Sequence, residues 1–437
     1  MDLEAKVVAW VEREIGPVRT VSRQGRWRPA WYIDAEVNGK PAPLYVRGDR
    51  GGRWPPMPLA YEARVHQILA DSGVKAPRLY GYIDEIPALV MERVRGRPNM
   101  ATAASDADRR RLREQLADQM RLIHEIDPKR LEAAGSPNPV DPREITLSHY
   151  RQAEGLYLSG ARLPSPEVEF IRGWLNRNVP PCDEGPVVIA MDAGQFIFEG
   201  DELTAMLDFE FVVVGDRHVD FAALRTRDRF EAIGDLDSFF DLYEARGGRP
   251  VDRDRVHFQH IPFAMYAVLE VAAELASPRS AADYFEYLRW HVDGTQTALG
   301  DIADLTGVEL QPYVLPAPAQ TRFGVALEAI DASLSTLAAA DKFAAYQKFR
   351  LGMALEFLGL WESHRPAFER EYLADVARVT GIAATDEWDC EVKLEAFVQA
   401  ADPQWDARLV RLLHRRGQRV RALIDRVKGP RAGVSLD

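Results

Sequence analysis

The chain has 437 residues, 46% of them hydrophobic and 28% charged, with a formal charge of -12, a composition that suits two or three soluble domains with sizeable cores. The acidic balance speaks against a dedicated nucleic-acid binder, which presents a basic face to phosphates. Cys182 and Cys390 are the only cysteines, too few for a disulfide framework or a structural zinc site, so a reducing cytosol is the expected compartment. The start, Met1-Asp2-Leu3-Glu4, lacks the basic and apolar regions of a signal peptide. The apolar run at 261–276 is broken by Glu270 short of the ~20 residues a membrane span needs, so no transmembrane segment is expected. Leu3, Val7, Val8, Val11 and Ile15 recur at helical spacing and stop at Gly16-Pro17, predicting a first helix over 3–15.

Trp31-Tyr32-Ile33 and Ala42-Pro43-Leu44-Tyr45-Val46 flank Asn38-Gly39, a pair that tolerates positive φ and suits a hairpin turn. Tyr61, Val65, Ile68 and Leu69 mark one face of a helix, and strands are expected over 79–83 and 88–92. From about 96 to 310 the patterns are helical, as over 112–126 and 258–275. The exception is an island at 187–214, where runs rich in Val, Ile and Phe surround Glu199-Gly200-Asp201-Glu202. Pro312, Pro316 and Pro318 mark a linker over 311–318. Helical patterns over 326–337, 343–361, 368–379 and 394–424, the last interrupted by Pro403, predict a C-terminal bundle over 319–437.

The island carries the informative residues. Val188-Ile189-Ala190-Met191-Asp192-Ala193-Gly194-Gln195 is followed by Ala205-Met206-Leu207-Asp208-Phe209-Glu210, so two aspartates stand at opposite ends of a predicted hairpin. Strand pairing brings such tips into one cleft. Phosphoryl transfer needs a pair of this kind, one carboxylate to accept the proton of the attacking hydroxyl and one to hold Mg²⁺ against the phosphates. The alternative is that Asp192 and Asp208 are turn or cap residues.

This stretch resembles the aminoglycoside phosphotransferase family, whose signature runs His-Gly-Asp, a hairpin, Asp-Trp-Glu, then Gly-Asp-x3-Asp-Leu-Ala. The matching residues are Asp192, Asp208-Phe209-Glu210 and Gly215-Asp216-Arg217-His218-Val219-Asp220-Phe221-Ala222. Met91-Glu92-Arg93-Val94-Arg95-Gly96 resembles the family hinge, and Leu122-Ile123-His124-Glu125-Ile126-Asp127 its Leu-His-x-hydrophobic-Asp helix end. The resemblance implies an α+β, protein-kinase-like fold, with a small antiparallel-sheet N-lobe over 1–95 and a mainly helical C-lobe over 96–310. The C-terminal helical bundle is appended to it. It also implies a small-molecule kinase that uses ATP and Mg²⁺ to phosphorylate a hydroxyl acceptor, such as a hydroxyacyl-CoA, another metabolite or an antibiotic.

Carried over by motif, Asp192 is the expected catalytic base, Asp208 the main Mg²⁺ ligand and Asp220 a brace of the catalytic loop. Arg47 falls where the kinase fold has its phosphate-binding Lys, with Glu62 as its ion-pair partner; a guanidinium bridges a carboxylate and phosphates equally well. Backbone groups of Glu92 and Val94 are expected to contact adenine. The sequence also departs from the family pattern. Ala190-Met191 replaces His-Gly, and Gln195, the expected second metal ligand, stands three residues after Asp192 where the pattern places Asn five residues on. The phosphate-covering loop Arg23-Gln24-Gly25-Arg26-Trp27-Arg28 keeps one glycine, Gly25. These departures motivate a rival reading, a pseudokinase that binds nucleotide or acts as a scaffold. A third makes the C-terminal bundle a homodimerisation element. Its last helix places Arg408, Arg411, Arg415, Arg416, Arg419 and Arg421 around an apolar stripe, which reads as a bundle helix with a solvated cationic face or as a docking element for an anionic ligand or surface.

Overall fold

A computed structural model describes residues 3–26, 28–51, 57–279 and 283–428. The chain divides into two compact units, one from residues up to 152 together with 180–259, the other from 153–179 and 260–431. This grouping gathers 153–179 and 260–310 with the helices beyond the proline-rich segment, whereas the sequence pattern separated them.

The first unit begins with α1 (Leu3–Glu14) and an antiparallel sheet of β1 (Val18–Arg23), β2 (Ala30–Val37), β3 (Lys40–Gly48), β4 (Leu79–Ile83) and β5 (Ala88–Glu92), in the order β1-β2-β3-β5-β4. Asn38 and Gly39, at φ 51 and 74, close the β2–β3 hairpin as the turn chemistry requires. Alternation along the strands sends Trp31, Ile33, Leu44 and Val46 to one face, where Val7, Trp10 and Val11 of α1 cover them. Tyr45 packs on the opposite face, against the cluster of Leu59, Leu89 and Met91. Arg47, two residues on, shares that face, and Leu59 opens α2 (Leu59–Asp71).

The rest of the unit follows with α3 (Asp106–His124), α4 (Pro128–Ala134) and the start of α5 (Pro142–Ser159), before the chain leaves for α6 (Pro166–Asn178) in the second unit. It returns with β6 (Val187–Ile189), β7 (Phe196–Glu199), β8 (Glu202–Met206), β9 (Val213–Gly215), α7 (His218–Asp228), α8 (Leu236–Ala245) and the start of α9 (Arg253–Ala276). β6 pairs with β9 and β7 with β8, all antiparallel. Leu112, Leu116, Met120 and Ile123 recur every three or four residues along α3 and pack against Val188, Phe198, Met206, Phe221 and Phe239, so the helix floors both two-stranded sheets. This sheet of strands followed by a mainly helical body is the kinase-like architecture expected from the sequence.

In the second unit, Phe285 and Val292 of α10 (Tyr284–Thr306) share a core with Phe357 and Phe368 of α12 (Lys342–Thr380) and Leu423 and Ile424 of α14 (Asp406–Ile424). α11 (Arg322–Thr336) and α13 (Glu387–Ala400) complete the helices. α12 is one helix of 39 residues that runs through Pro366, where the sequence patterns stop at 361 and resume at 368. The lost backbone hydrogen bond is outweighed by the burial of Phe357, His364 and Phe368 on either side. The proline-rich segment has no regular structure but is packed: Tyr313 and Leu315 lie on the core, and the Ala319 N–H donates to the Ser363 carbonyl at 2.8 Å. No described helix is long and apolar enough to cross a membrane.

One buried imidazole sets a pH dependence. His149 on α5 is fully buried, and neither ring nitrogen has a hydrogen-bond partner among the described residues. Burial pulls its pKa from 6.5 down to about 3, against the opposing charge of Asp216. The unfolded imidazole takes a proton below about 6.5 and the folded one does not, so stability falls as pH drops from there. His66 and His218, also lowered by burial, act in the same direction. In denaturant melts between pH 5 and 6, His149→Leu is expected to flatten the pH dependence by about 1.4 kcal/mol per pH unit; an unchanged slope would contradict this.

Candidate active site

β6 delivers the chain into the loop that carries Asp192. The N–H groups of Ala190 and Met191 donate to the two oxygens of Asp220, at 3.0 and 2.6 Å. Asp220, wholly buried in the first turn of α7, also meets His124 Nε2 at 3.0 Å, and His124 Nδ1 meets the Tyr243 hydroxyl at 2.8 Å. Met191 sits at φ 63, the left-handed region that explains the family's glycine at this place. A side chain there costs about 1–2 kcal/mol, and the Asp220 bonds hold it. The missing loop imidazole is thus offset by a brace that survives from α7 and α3.

A tight turn follows, closed by the Gln195 N–H on the Asp192 carbonyl at 3.1 Å. Gln195 Nε2 donates to Asp192 Oδ2 at 2.9 Å and to Asp208 Oδ2 at 3.2 Å, so one amide joins both carboxylates. In this orientation its oxygen points away from them; the metal-ligand role expected from the sequence needs the amide to turn over. Arg227, two turns along α7 from Asp220, grips Asp192 with both sides of its guanidinium, Nε to Oδ1 at 2.8 Å and a terminal nitrogen to Oδ2. It also pairs with Glu231 at 2.9 Å. Burial works against the charge on Arg227, and Asp192 together with Glu231 outweighs it and raises its pKa. The aliphatic part of Arg227 lies over Gly194, where an added Cβ would come within 2.4 Å of Arg227 Cδ.

Asp208 follows β8 at φ 62 and leads into the turn Phe209–Phe211. Arg47 of β3 reaches Asp208 with one terminal nitrogen and Glu62 of α2 with the other. Beneath them, Arg28 donates to Glu210 at 2.7 Å and to the Gly48 carbonyl at 3.0 Å, and Arg50 donates to Glu210 at 2.6 Å. Burial alone would raise the Asp208 carboxyl; Arg47, Arg28 and Arg50 hold it well below the usual carboxylate range. Burial also opposes the charge on Arg47, which Glu62, Asp208 and Glu210 raise well above its usual pKa, and it pulls Arg50 down to about 10 despite Glu210.

The residues expected from sequence therefore fall into one cluster of Asp192, Gln195, Asp208, Arg47 and Glu62. Gly25 lies in the β1–β2 turn, Glu92 ends β5 and Val94 follows in the connecting segment. Gly96, at φ 139, brings its Cα against the Phe198 carbonyl, which an added Cβ would meet at 2.8 Å, and Arg97 and Phe198 exchange backbone hydrogen bonds at 3.0 and 3.1 Å. Trp27 of the Gly25 loop lies outside the described residues. Sequence reasoning missed Arg227, Arg50 and the burial of Arg28. The two-turn spacing of Asp220 and Arg227 on one helix face was the signal available for the first; nothing local distinguished the other two.

Residues 24–259, more than half of the chain, match the sequence profile of the phosphotransferase enzyme family. The chain belongs to that family. Among solved structures it is similar to a Ralstonia eutropha protein assigned as an aminoglycoside phosphotransferase, with 18% identity, TM-score 0.50, and 68% of this chain and 96% of that chain covered. It is also similar to macrolide 2'-phosphotransferase from Brachybacterium faecium, with 17% identity, TM-score 0.43, and 63% and 98% covered. A third is ethanolamine kinase from Plasmodium vivax, with 12% identity, TM-score 0.46, and 66% and 84% covered. No curated protein matches by sequence. In this phosphotransferase Asp192 and Asp208 each meet a guanidinium, from Arg227 and Arg47.

The Arg227 clamp yields a measurable expectation. Gly194→Ala, which pushes Arg227 off Asp192, and Arg227→Ala, which removes it, are each expected to lower kcat by ~10²-fold with little change in nucleotide KM, as misplacement of a reacting group does. Guanidinium ion added to Arg227→Ala is expected to restore part of the rate. Wild-type kcat in both variants would reject the clamp.

Proposed function

We propose that this enzyme transfers the γ-phosphoryl group of ATP to a hydroxyl of a small molecule, in the cytosol and with Mg²⁺. The observation that carries this reading is the Gln195 amide shared at 2.9 and 3.2 Å by the carboxylates of Asp192 and Asp208, which sets a proton acceptor and a metal ligand side by side. Asp192 accepts the proton of the acceptor hydroxyl as its oxygen bonds to the γ-phosphorus, and the bond from that phosphorus to the β–γ bridging oxygen breaks to release ADP. Arg227 keeps the Asp192 oxygens aimed. Arg47, anchored on Glu62, turns its second nitrogen from Asp208 to a phosphate, while Glu92 and Val94 offer backbone groups to adenine and Gly25 lets its turn approach the phosphates.

Hard oxygen donors suit Mg²⁺, and the Asp208 carboxylate with the Gln195 amide oxygen, once turned, forms such a set. Bound there, the ion would neutralise charge on the phosphates. The acceptor is a hydroxyl compound of the range suggested by the family, whether a hydroxyacyl-CoA, another metabolite or an antibiotic-like molecule.

The test is a screen of hydroxylated metabolites and antibiotics for ATP consumption, with the phosphorylated product identified by mass spectrometry. Asp192→Asn is expected to cut turnover by ~10²–10⁴-fold, the usual contribution of a general base, and to leave ATP affinity nearly intact. Turnover equal to wild type would sink the assignment of the base. ATP binding with no product from any acceptor would instead favour the nucleotide-binding scaffold.

A further inference from the structure

The basic face of α14 does not behave as one surface. Arg416 donates to Glu391 at 2.7 Å and Glu167 at 2.8 Å, Arg419 donates to Asp375 at 2.5 Å, and Arg421 pairs with Asp293 at 2.6 Å. These three cations are consumed inside the second unit. Arg408, Arg411 and Arg415 instead join Arg378 of α12 around a cavity of about 640 Å³. Among the described residues the one carboxylate on its wall is Asp375, and it is shared by Arg378 at 2.9 Å, Arg415 at 3.1 Å and Arg419. Arg408 lies over the Trp405 ring at 5.2 Å, and Arg411 donates to the Glu309 and Ala407 carbonyls at 3.2 and 3.3 Å; neither has a carboxylate partner among the described residues. Four guanidinium groups thus face one carboxylate in a chain whose net charge is -12.

We propose that this cavity is a second ligand site, for a small organic molecule that carries two neighbouring phosphate groups. Arg408, Arg411 and Arg415 stand at i, i+3 and i+7, one face of a helix, and at 1.5 Å per residue they extend over about 10 Å. A single phosphate engages one or two guanidinium forks; a row of that length with a fourth arginine opposite matches two anionic groups, which guanidinium binds in bidentate fashion. Leu310 and Val379, both half-buried, line the same cavity and give an organic body something apolar to lie on. Concavity sets it apart from a membrane-docking face, which needs its cations spread over a surface with exposed apolar residues between them; the apolar stripe of α14, Leu409, Val410, Leu412 and Leu413, is buried.

The test is calorimetric titration of the full chain with inorganic pyrophosphate, inorganic phosphate and phosphatidylserine vesicles, in wild type, Arg408→Glu/Arg411→Glu, Arg408→Lys/Arg411→Lys and Arg378→Gln. Pyrophosphate is expected to show a binding component in wild type that weakens at least tenfold in the Glu pair and falls measurably in Arg378→Gln. The Lys pair should retain most of it. Phosphate should bind at least tenfold more weakly than pyrophosphate, and the basal phosphotransfer rate of the Glu pair should match wild type. Arg378→Gln reports independently should the Glu pair not fold. Identical pyrophosphate isotherms in wild type and both charge-removing variants would overturn the proposal. So would phosphate binding as tight as pyrophosphate, or vesicle capture dependent on Arg408 and Arg411 without pyrophosphate binding.

Discussion

The carboxylate of Asp220 is the constraint from which the site is built. It is wholly buried, and it accepts the N–H groups of Ala190 and Met191 just before the loop of Asp192 turns. Those two donors would otherwise be orphaned inside the protein, at about 1–3 kcal/mol each. The same residue stands in the first turn of α7, and two turns beyond it Arg227 reaches Asp192. One buried acid therefore fixes the path of the loop from below and, through a rigid helix, the guanidinium that aims the loop's aspartate from above. The left-handed Met191 and the tight turn to Gln195 are tolerable because both ends of the loop are held this way.

The second constraint is charge neutrality in a confined space. Arg28, Arg47 and Arg50 are matched by Glu62, Asp208 and Glu210, with most of these side chains shielded from solvent. A lysine at position 47 would offer one point charge, whereas the guanidinium reaches Glu62 with one nitrogen and Asp208 with another. That fork lets one side chain tie β3 to both α2 and the turn after β8. Arg28 and Arg50 both end on Glu210, so that acid is neutralised without drawing on the two nitrogens that Arg47 gives to Glu62 and Asp208.

Much of this was legible in the sequence, for reasons that are themselves local. Asn38-Gly39 encodes its turn in the φ it tolerates, and the strands at Leu79–Ile83 and Ala88–Glu92 are short apolar runs bounded by turn residues. Asp192 and Asp208 were exposed as candidates by their place at the ends of a hairpin. What was not legible depends on distant partners. Arg28 reads as one of several loop arginines until Glu210, 182 residues away, meets it. Pro366 reads as a helix break until Phe357, His364 and Phe368 bury the helix across it. The grouping of α6 and α10 with α12 and α14 rests on apolar faces that periodicity reveals and pairing alone assigns.

The appended helices show the same division between pattern and partner. The run of arginines in α14 looks uniform in sequence, yet the fold sorts it into two sets by what stands opposite each turn. Where α6, α13, α12 and α10 present Glu167, Glu391, Asp375, Glu371 and Asp293, the arginines become internal ties among helices. A buried pair of this kind adds little net stability over an apolar contact, but losing one partner leaves a charge stranded, so these ties specify which helices meet. Where the α14 face turns toward α12 with Asp375 as the one acid opposite among the described residues, positive charge accumulates around a cavity. Solvent screens the two exposed arginines, Arg408 and Arg411, so the fold tolerates this excess without an opposing acid and leaves their forks open to an anionic ligand.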